Sequence, residues 1–394
     1  MARRKLLLAV LAVLAAGGIT AGIAVAGKDD GNKKSFEYAI ALWGDLPYSD
    51  VQAQVGVPNL IADMNNSEIE FSVHDGDLKA GSATAGSVTP TTCATATPPA
   101  VDIYTQGLGY FNSLKKPAMF TPGDNDWTDC DRVSNGSFNA TERLQHERQV
   151  LFSGPYANRS FGQKQLEQEV QTAPLCVGWD YGSNSEVSGV PCVENRRWVF
   201  HKVVYATVNI QGTCNNLCKS GSASDPSVGD PNGDAAEFQA REAADEQWLQ
   251  QTFDEAKATN AAAVMIIGQA DPGFDNSDAT RAPTRDPKTL AENDANAAHD
   301  GYVAFLTKLR SLTIDFGKPV VYVHGDSHYF RVEKPLLDRN GLRIENFTRV
   351  ETFGDNAPSA NDVHWVKALV DPESRDVFAF QAQIVPSNVG GYTP

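Results

Sequence analysis

Five short apolar runs in this chain each release a glycine that is followed at once by an aspartate or a glutamine. Phe36–Trp43 runs into Gly44-Asp45-Leu46-Pro47, and Ile69–His74 into Asp75-Gly76-Asp77-Leu78-Lys79. Pro117–Thr121 runs into Pro122-Gly123-Asp124-Asn125-Asp126, Ala262–Ile267 into Gly268-Gln269, and Pro319–His324 into Gly325-Asp326-Ser327-His328. Runs of this length, rich in β-branched and aromatic residues, read as strands; longer helical patterns between them predict an α/β domain. In open α/β sheets ligands gather outside the carboxyl ends of the strands, where all five motifs would meet. A single Gly-Asp reads as a turn or a helix cap. Five at five strand ends point to a shared site.

Further strands are predicted at Trp198–Ile210, Glu345–Phe353, His364–Val370 and Val377–Ile384. Helices are predicted at Val51–Asn65, Asp102–Leu114, Ala235–Ala258 and Leu290–Leu312. Four stretches read as loops: Gly81–Pro99, Gly178–Arg197, Lys219–Asp234 and Asp271–Pro287. No internal repeat and no domain boundary stands out, so one domain is expected over 36–386, with a short tail at 387–394.

The N-terminus carries Arg3, Arg4 and Lys5 ahead of an apolar stretch that reaches Ala26. This reads as an export signal over 1–26, cleaved after Ala24-Val25-Ala26, with a linker at 27–35. An uncleaved anchor is the alternative, because the stretch is long enough to span a bilayer. Membrane association is expected only in that case. All six cysteines follow the leader, which suits an oxidising compartment and disulfide bonding. Fifteen connectivities are open. Cys176 with Cys192 and Cys214 with Cys218 would close short loops, leaving Cys93 with Cys130; a zinc site at Cys214 and Cys218 lacks a second ligand pair nearby.

The 394 residues include 49 acidic and 33 basic side chains, a net charge of −16. That balance excludes a general nucleic-acid binder, which needs clustered Lys and Arg. It does not exclude phosphate chemistry, since bound cations reverse the local field. Carboxylates gathered at one point repel unless something positive compensates, and divalent cations are the obvious compensation.

The order of motifs resembles the calcineurin-like metallophosphoesterases, which carry Asp-x-His, Gly-Asp-x-x-Asp/Asn, Gly-Asn-His-Asp/Glu, a lone His and Gly-His-x-His at successive strand ends. The resemblance spans about Phe36 to Ile384 and rests on Gly76-Asp77-Leu78, Gly123-Asp124-Asn125-Asp126 and Gly325-Asp326-Ser327-His328. It implies a four-layer sandwich of two mixed β-sheets flanked by helices. It also implies two metal ions and hydrolysis of a phosphomonoester or phosphodiester by metal-activated water. Carried over, Asp45, Asp77, Asp124, Gln269, Asp326 and His328 are the expected metal ligands, with Asp77 bridging. Asn125 matches the substrate-contacting His of the third motif.

The chain departs from the family in several places: Pro47, Asn125, Gln269 and Asp326 stand where the motifs have His, and Asp124 where they have Asn. Apart from Pro47, each still carries a group that can bind a metal or a phosphate, which reads as an altered site rather than an erased one. Oxygen-rich ligation favours manganese, magnesium or calcium over zinc, with iron also admissible. Asn125, Asp126 and His324 are the catalytic candidates, and Lys79 joins Asn125 as a candidate for binding a small phosphoester. A non-catalytic ligand- or partner-binding protein on the same scaffold is the rival class, and a calcium-stabilised domain a third. Substrate and oligomeric state are not specified by the sequence.

Overall fold

The strand-forming runs are continuous in apolar residues because both faces of their sheets are covered. In the computed structural model, residues 37–217, 233–274, 285–290, 301–355 and 363–390 are described. The chain divides into two units, Met1–Ser35 and Phe36–Pro394. The expected leader and linker, in the first unit, lie outside the described residues.

The second unit is α/β with two mixed sheets. The first sheet has five strands in the order β12-β11-β1-β2-β3. β1 (Tyr38–Trp43), β2 (Ser72–His74) and β3 (Ala118–Phe120) are parallel, and β11 (Trp365–Val370) and β12 (Phe378–Gln383) add on antiparallel. The second sheet runs β4-β5-β6-β7-β8-β10-β9. Its parallel centre is β6 (Val203–Thr207), β7 (Ala263–Ile267), β8 (Val320–His324) and β10 (Phe347–Glu351). β4 (Glu169–Asp180), β5 (Ser185–Phe200) and β9 (Arg331–Glu333) flank it antiparallel.

Alternation along β1 sorts its side chains between two cores. Ile40 and Leu42 pack with Met265, Ile267, Val321 and Val323 of the other sheet. Ala39, Ala41 and Trp43 pack with Leu60, Ile61 and Met64 of α1 (Val57–Asn66) and Phe111 of α2 (Ile103–Ser113). On the far side of the seven-stranded sheet, Val264 and Ile266 pack with Trp248, Leu249 and Phe253 of α5 (Ala235–Ala258) and Phe305, Leu306 and Leu309 of α6 (Val303–Phe316). Register then levels the strand ends. Trp43 pairs with His74 and His74 with Phe120 in one sheet, while Thr207 pairs with Ile267 and Ile267 with Val323 in the other.

Four expectations change. Gly178–Arg197 is not a loop but the end of β4, the turn and most of β5 in a long β4–β5 hairpin. Its Gly, Ser and Asn residues hid the pattern, which Trp179, Val187 and Val190 carry. Trp198–Ile210 is broken by His201 and Lys202, whose positive φ of 43° and 65° make the tight turn between β5 and β6. Val51–Asn65 opens with a π-helical turn, Gln52–Gly56, before α1. α6 continues to Phe316, four residues past the expected end; 291–300 lie outside the described residues, as do 218–232 and 275–284 of two predicted loops. The packed region also continues past Pro386, since the buried Asn388 amide donates to Gly56 O (2.9 Å) and Val363 O (2.8 Å).

Cys93 is bonded to Cys130 and Cys176 to Cys192. The expected partner of Cys214, Cys218, lies outside the described residues. Among the described residues no helix is long and apolar enough to cross a membrane.

Candidate cation site at the strand ends

The loops leaving β1, β2, β3, β7 and β8 are drawn together by backbone hydrogen bonds. Asp45 N–H donates to Gly76 O (3.0 Å), Leu46 N–H to Asp77 O (3.2 Å) and Gly325 N–H to Gln269 O (3.0 Å). Glycine is required at two of these junctions. A Cβ on Gly325 would stand 1.7 Å from Asp45 Oδ2, and one on Gly123 would stand 2.1 Å from Asp77 Oδ1. Four of the converging residues take left-handed backbone conformations that non-glycine residues rarely adopt: Asp45 (φ 52°), Asp77 (64°), Asp326 (72°) and His328 (63°).

The chain brings all seven motif residues, Asp45, Asp77, Asp124, Asn125, Gln269, Asp326 and His328, into one cluster. Asp77 is its hub. Asp77 Oδ1 accepts from the Asn125 backbone N–H (3.1 Å). Asp77 Oδ2 accepts from the Asn125 side-chain amide (2.6 Å), the Tyr48 hydroxyl (2.6 Å) and the Gln269 amide (3.3 Å). The same Gln269 nitrogen lies 3.1 Å from Asp124 Oδ1, and its Oε1 accepts from Gly212 N–H (2.5 Å). Asp45 accepts from Asp326 N–H (3.0 Å) and lies 3.4 Å from His328 Nε2. Asp326 closes the ring, because a Cβ on Gly212 would touch Asp326 Oδ1 (2.7 Å) and Asp124 Oδ2 (2.8 Å) alike.

The electrostatics are those of an acid-rich pocket. Burial, followed by the charges of Asp124, Asp45 and Asp126, pushes the Asp77 carboxyl well above its ordinary pKa. Burial works against a charged His328 ring, but the hydrogen bond to Asp45 and that group's charge prevail and raise it to about 9. Its Nδ1 meets Asp355 O at 2.8 Å, which fixes the ring's direction.

Three further candidates lie around the cluster. Asp126 does not reach the cluster's centre; its carboxylate takes the N–H groups of Asp77 (3.0 Å), Leu78 (2.5 Å) and Gly123 (2.9 Å) and so shapes the Asp77 loop. His324 is fully buried, stacks on Tyr322 at 5.4 Å, and is held down to about 4 by burial. Lys79 is buried, and its ammonium donates to Ala80 O (2.9 Å).

Two residues were missed. Tyr48 follows the first motif directly, three positions after Asp45. Thr213, on the turn Gly212–Asn215 (α4), donates to Asp124 Oδ2 (2.6 Å) and lies 3.0 Å from Asp129 Oδ1. The signal for Thr213 was present, since the β6 segment also releases a glycine, in Gln211-Gly212-Thr213.

The donor set fits a hard divalent cation in kind: carboxylates, two amides that can turn an oxygen inward, and one imidazole. As arranged here the carboxylates are spanned by internal donors. Among the described residues no three His, Cys, Asp or Glu side chains stand in metal-holding geometry.

No family model matches the chain, and no curated protein matches it. Among solved structures it is similar to GAP50, the anchor in the inner membrane complex of Plasmodium. That similarity has a TM-score of 0.40 and 10% identity, and covers 89% of each chain. A likeness at that level carries no argument about function.

Proposed function

We propose that the strand-end cluster is the divalent-cation site of an exported phosphoester hydrolase, built on a four-layer metallophosphoesterase-like sandwich. The observation that carries this reading is the backbone of the cluster itself. Asp45, Asp77, Asp326 and His328 all hold costly left-handed conformations on three separate strand ends, and their side chains converge. Strain of about 1–3 kcal/mol per residue collects where function needs geometry that packing alone would not select.

In this reading Asp45, Asp77, Asp124, Gln269, Asp326 and His328 hold one or two cations, manganese, magnesium or calcium ahead of zinc. Such cations would polarise a phosphoryl oxygen and activate water at neutral pH. The protein's own groups do the rest. Asn125 points its amide into the site, where it can hydrogen-bond a phosphoryl oxygen. Thr213 orients Asp124, the Asp355 carbonyl orients His328, and Asp126 fixes the Asp77 loop through three amides. The partner is a small phosphoester; the acidic surface disfavours nucleic acid. The two disulfides among the described residues support an oxidising, extracytosolic address. The test is hydrolysis of chromogenic phosphomonoesters and phosphodiesters with added manganese, comparing wild type with Asp77→Asn. Loss of turnover in the variant is expected, and equal rates would rule the reading out.

One observation favours a second reading, a non-catalytic binding protein on the same scaffold. The Tyr48 hydroxyl and the Gln269 amide already satisfy the carboxylates. No turnover of any ester, with no cation uptake, would decide for it.

A further inference from the structure

One oxygen atom sits at the centre of the first half of the site. The Tyr48 hydroxyl lies 2.6 Å from Asp77 Oδ2, 3.3 Å from Asp45 Oδ1, 3.3 Å from His328 Nε2 and 3.0 Å from the Asn125 amide nitrogen. Asp45, Asp77 and His328 are three of the six proposed cation ligands, and the family resemblance would place them together on one ion, here called the first cation. Bonds to a hard cation run ~2.0–2.6 Å, so an ion touching those three groups would need the space this oxygen fills. A neutral phenol is also the wrong group to stay. Its proton already points at Asp77, and its oxygen accepts from Asn125, so the hydroxyl is committed to the cluster's own groups.

The local structure lets the side chain leave without the loop. The Tyr48 backbone N–H is tied to Gln52 Oε1 (2.7 Å), and Gln52 Nε2 is tied in turn to Asp355 Oδ1 (2.7 Å). The residue as a whole, by contrast, is partly exposed although its hydroxyl is buried, and its ring meets His328 edge to face, with centroids 5.1 Å apart. Rotation about χ1 would carry it outward while the backbone stays in place.

We propose that Tyr48 is a built-in competitor for the first cation: its hydroxyl closes the site over Asp45, Asp77 and His328, and it swings out when an ion binds. Tyr48 thereby sets the concentration at which the site loads, and it is a positioning residue rather than a ligand. This rests on the cation-site reading above. It goes beyond that reading by assigning a selecting role to a residue outside the resembled motifs.

The test is calorimetric titration of chelator-stripped protein with Mn²⁺ alone and with Ca²⁺ alone, for wild type, Tyr48→Phe and Tyr48→Leu. Removing a hydroxyl bonded to a carboxylate should tighten Mn²⁺ binding about tenfold or more. Uptake by the variants when wild type takes up none would support the proposal equally. Unchanged or weaker binding in both variants, with wild type binding, would overturn the competitor role and leave the cation site standing. No uptake by any of the three would overturn both. Tyr48→Leu serves if Tyr48→Phe fails to fold, and cation-free melting checks each variant: loss of the donor to Asp77 should lower the melting temperature without Mn²⁺ and not with it.

Discussion

Asn125 grips both oxygens of the Asp77 carboxylate, with its backbone N–H 3.1 Å from Oδ1 and its side-chain amide 2.6 Å from Oδ2. Only the amide can be removed by mutation. A hydrogen bond to a neutral acceptor contributes about 0.5–1.5 kcal/mol net. Asn125→Ala should therefore lower cation-free stability by roughly that amount, read as an earlier urea midpoint with an unchanged slope. Asn125→Asp should cost more, because it sets a second carboxylate against Asp77. Equal midpoints for wild type and Asn125→Ala would show that the amide adds nothing.

Asp77 also fixes a pH dependence of unusual sign. Burial and three neighbouring carboxylates raise its pKa well above 3.8, so the folded state keeps a proton that the unfolded chain gives up. Between about pH 4 and its raised value the native state binds more protons, and stability falls as pH rises. This is the reverse of the usual salt-bridged aspartate. Melting temperatures in chelator should decline from mildly acidic to neutral pH. In Asp77→Asn, which cannot ionise, the decline should flatten. A wild-type profile that climbs through this range would contradict the proton held on Asp77.

How much of this the sequence revealed depends on what each residue's role rests on. Gly44-Asp45, Gly76-Asp77, Gly123-Asp124, Gly268-Gln269 and Gly325-Asp326 were legible because a buried strand and a close turn leave a local signature. The β4–β5 hairpin was not, since its outer half is half-exposed and carries no apolar run. Tyr48 was invisible for another reason. Nothing local distinguishes a loop tyrosine whose hydroxyl crosses to Asp77, 29 positions away. The burial of Lys79 and His324 was not legible either, because sequence gives adjacency to a motif but not the side of the loop a side chain takes.

The turn that presents Thr213 offers a third prediction. Thr213, Cys214, Asn215 and Asn216 take φ values of 47°, 57°, 54° and 63° in succession, a run that L-residues resist. Arg241 holds it from α5, donating to Asn215 Oδ1 (2.6 Å) and Asn215 O (2.9 Å) while paired with the buried Glu237 (2.7 Å). Arg241→Met should cost about 3–5 kcal/mol, because it leaves Glu237 buried without its partner. Thr213→Val should cost less in stability yet weaken manganese binding, and Thr213→Ser should restore binding. Calorimetry on the two Thr213 variants separates the roles. If Val binds as well as Ser, the hydroxyl does not orient Asp124.

Glu147, on α3 (Ala140–Leu151), is the clearest case of a buried group the proposed chemistry does not use. It is fully buried, and neither carboxyl oxygen meets a donor among the described residues. Burial, and then the charges of Asp126 and Glu194, push its pKa well above 4.5, so it is carried as the neutral acid. A neutral carboxyl without hydrogen bonds still pays its desolvation, about 1–3 kcal/mol by mutational measures. Glu147→Met keeps the length and much of the volume while removing both polar atoms, and so should raise the melting temperature or leave it unchanged. Glu147→Gln keeps the penalty and should not stabilise. The two variants compared by urea titration decide the matter: a loss of more than about 1 kcal/mol in Glu147→Met would mean that the carboxyl has a partner worth keeping.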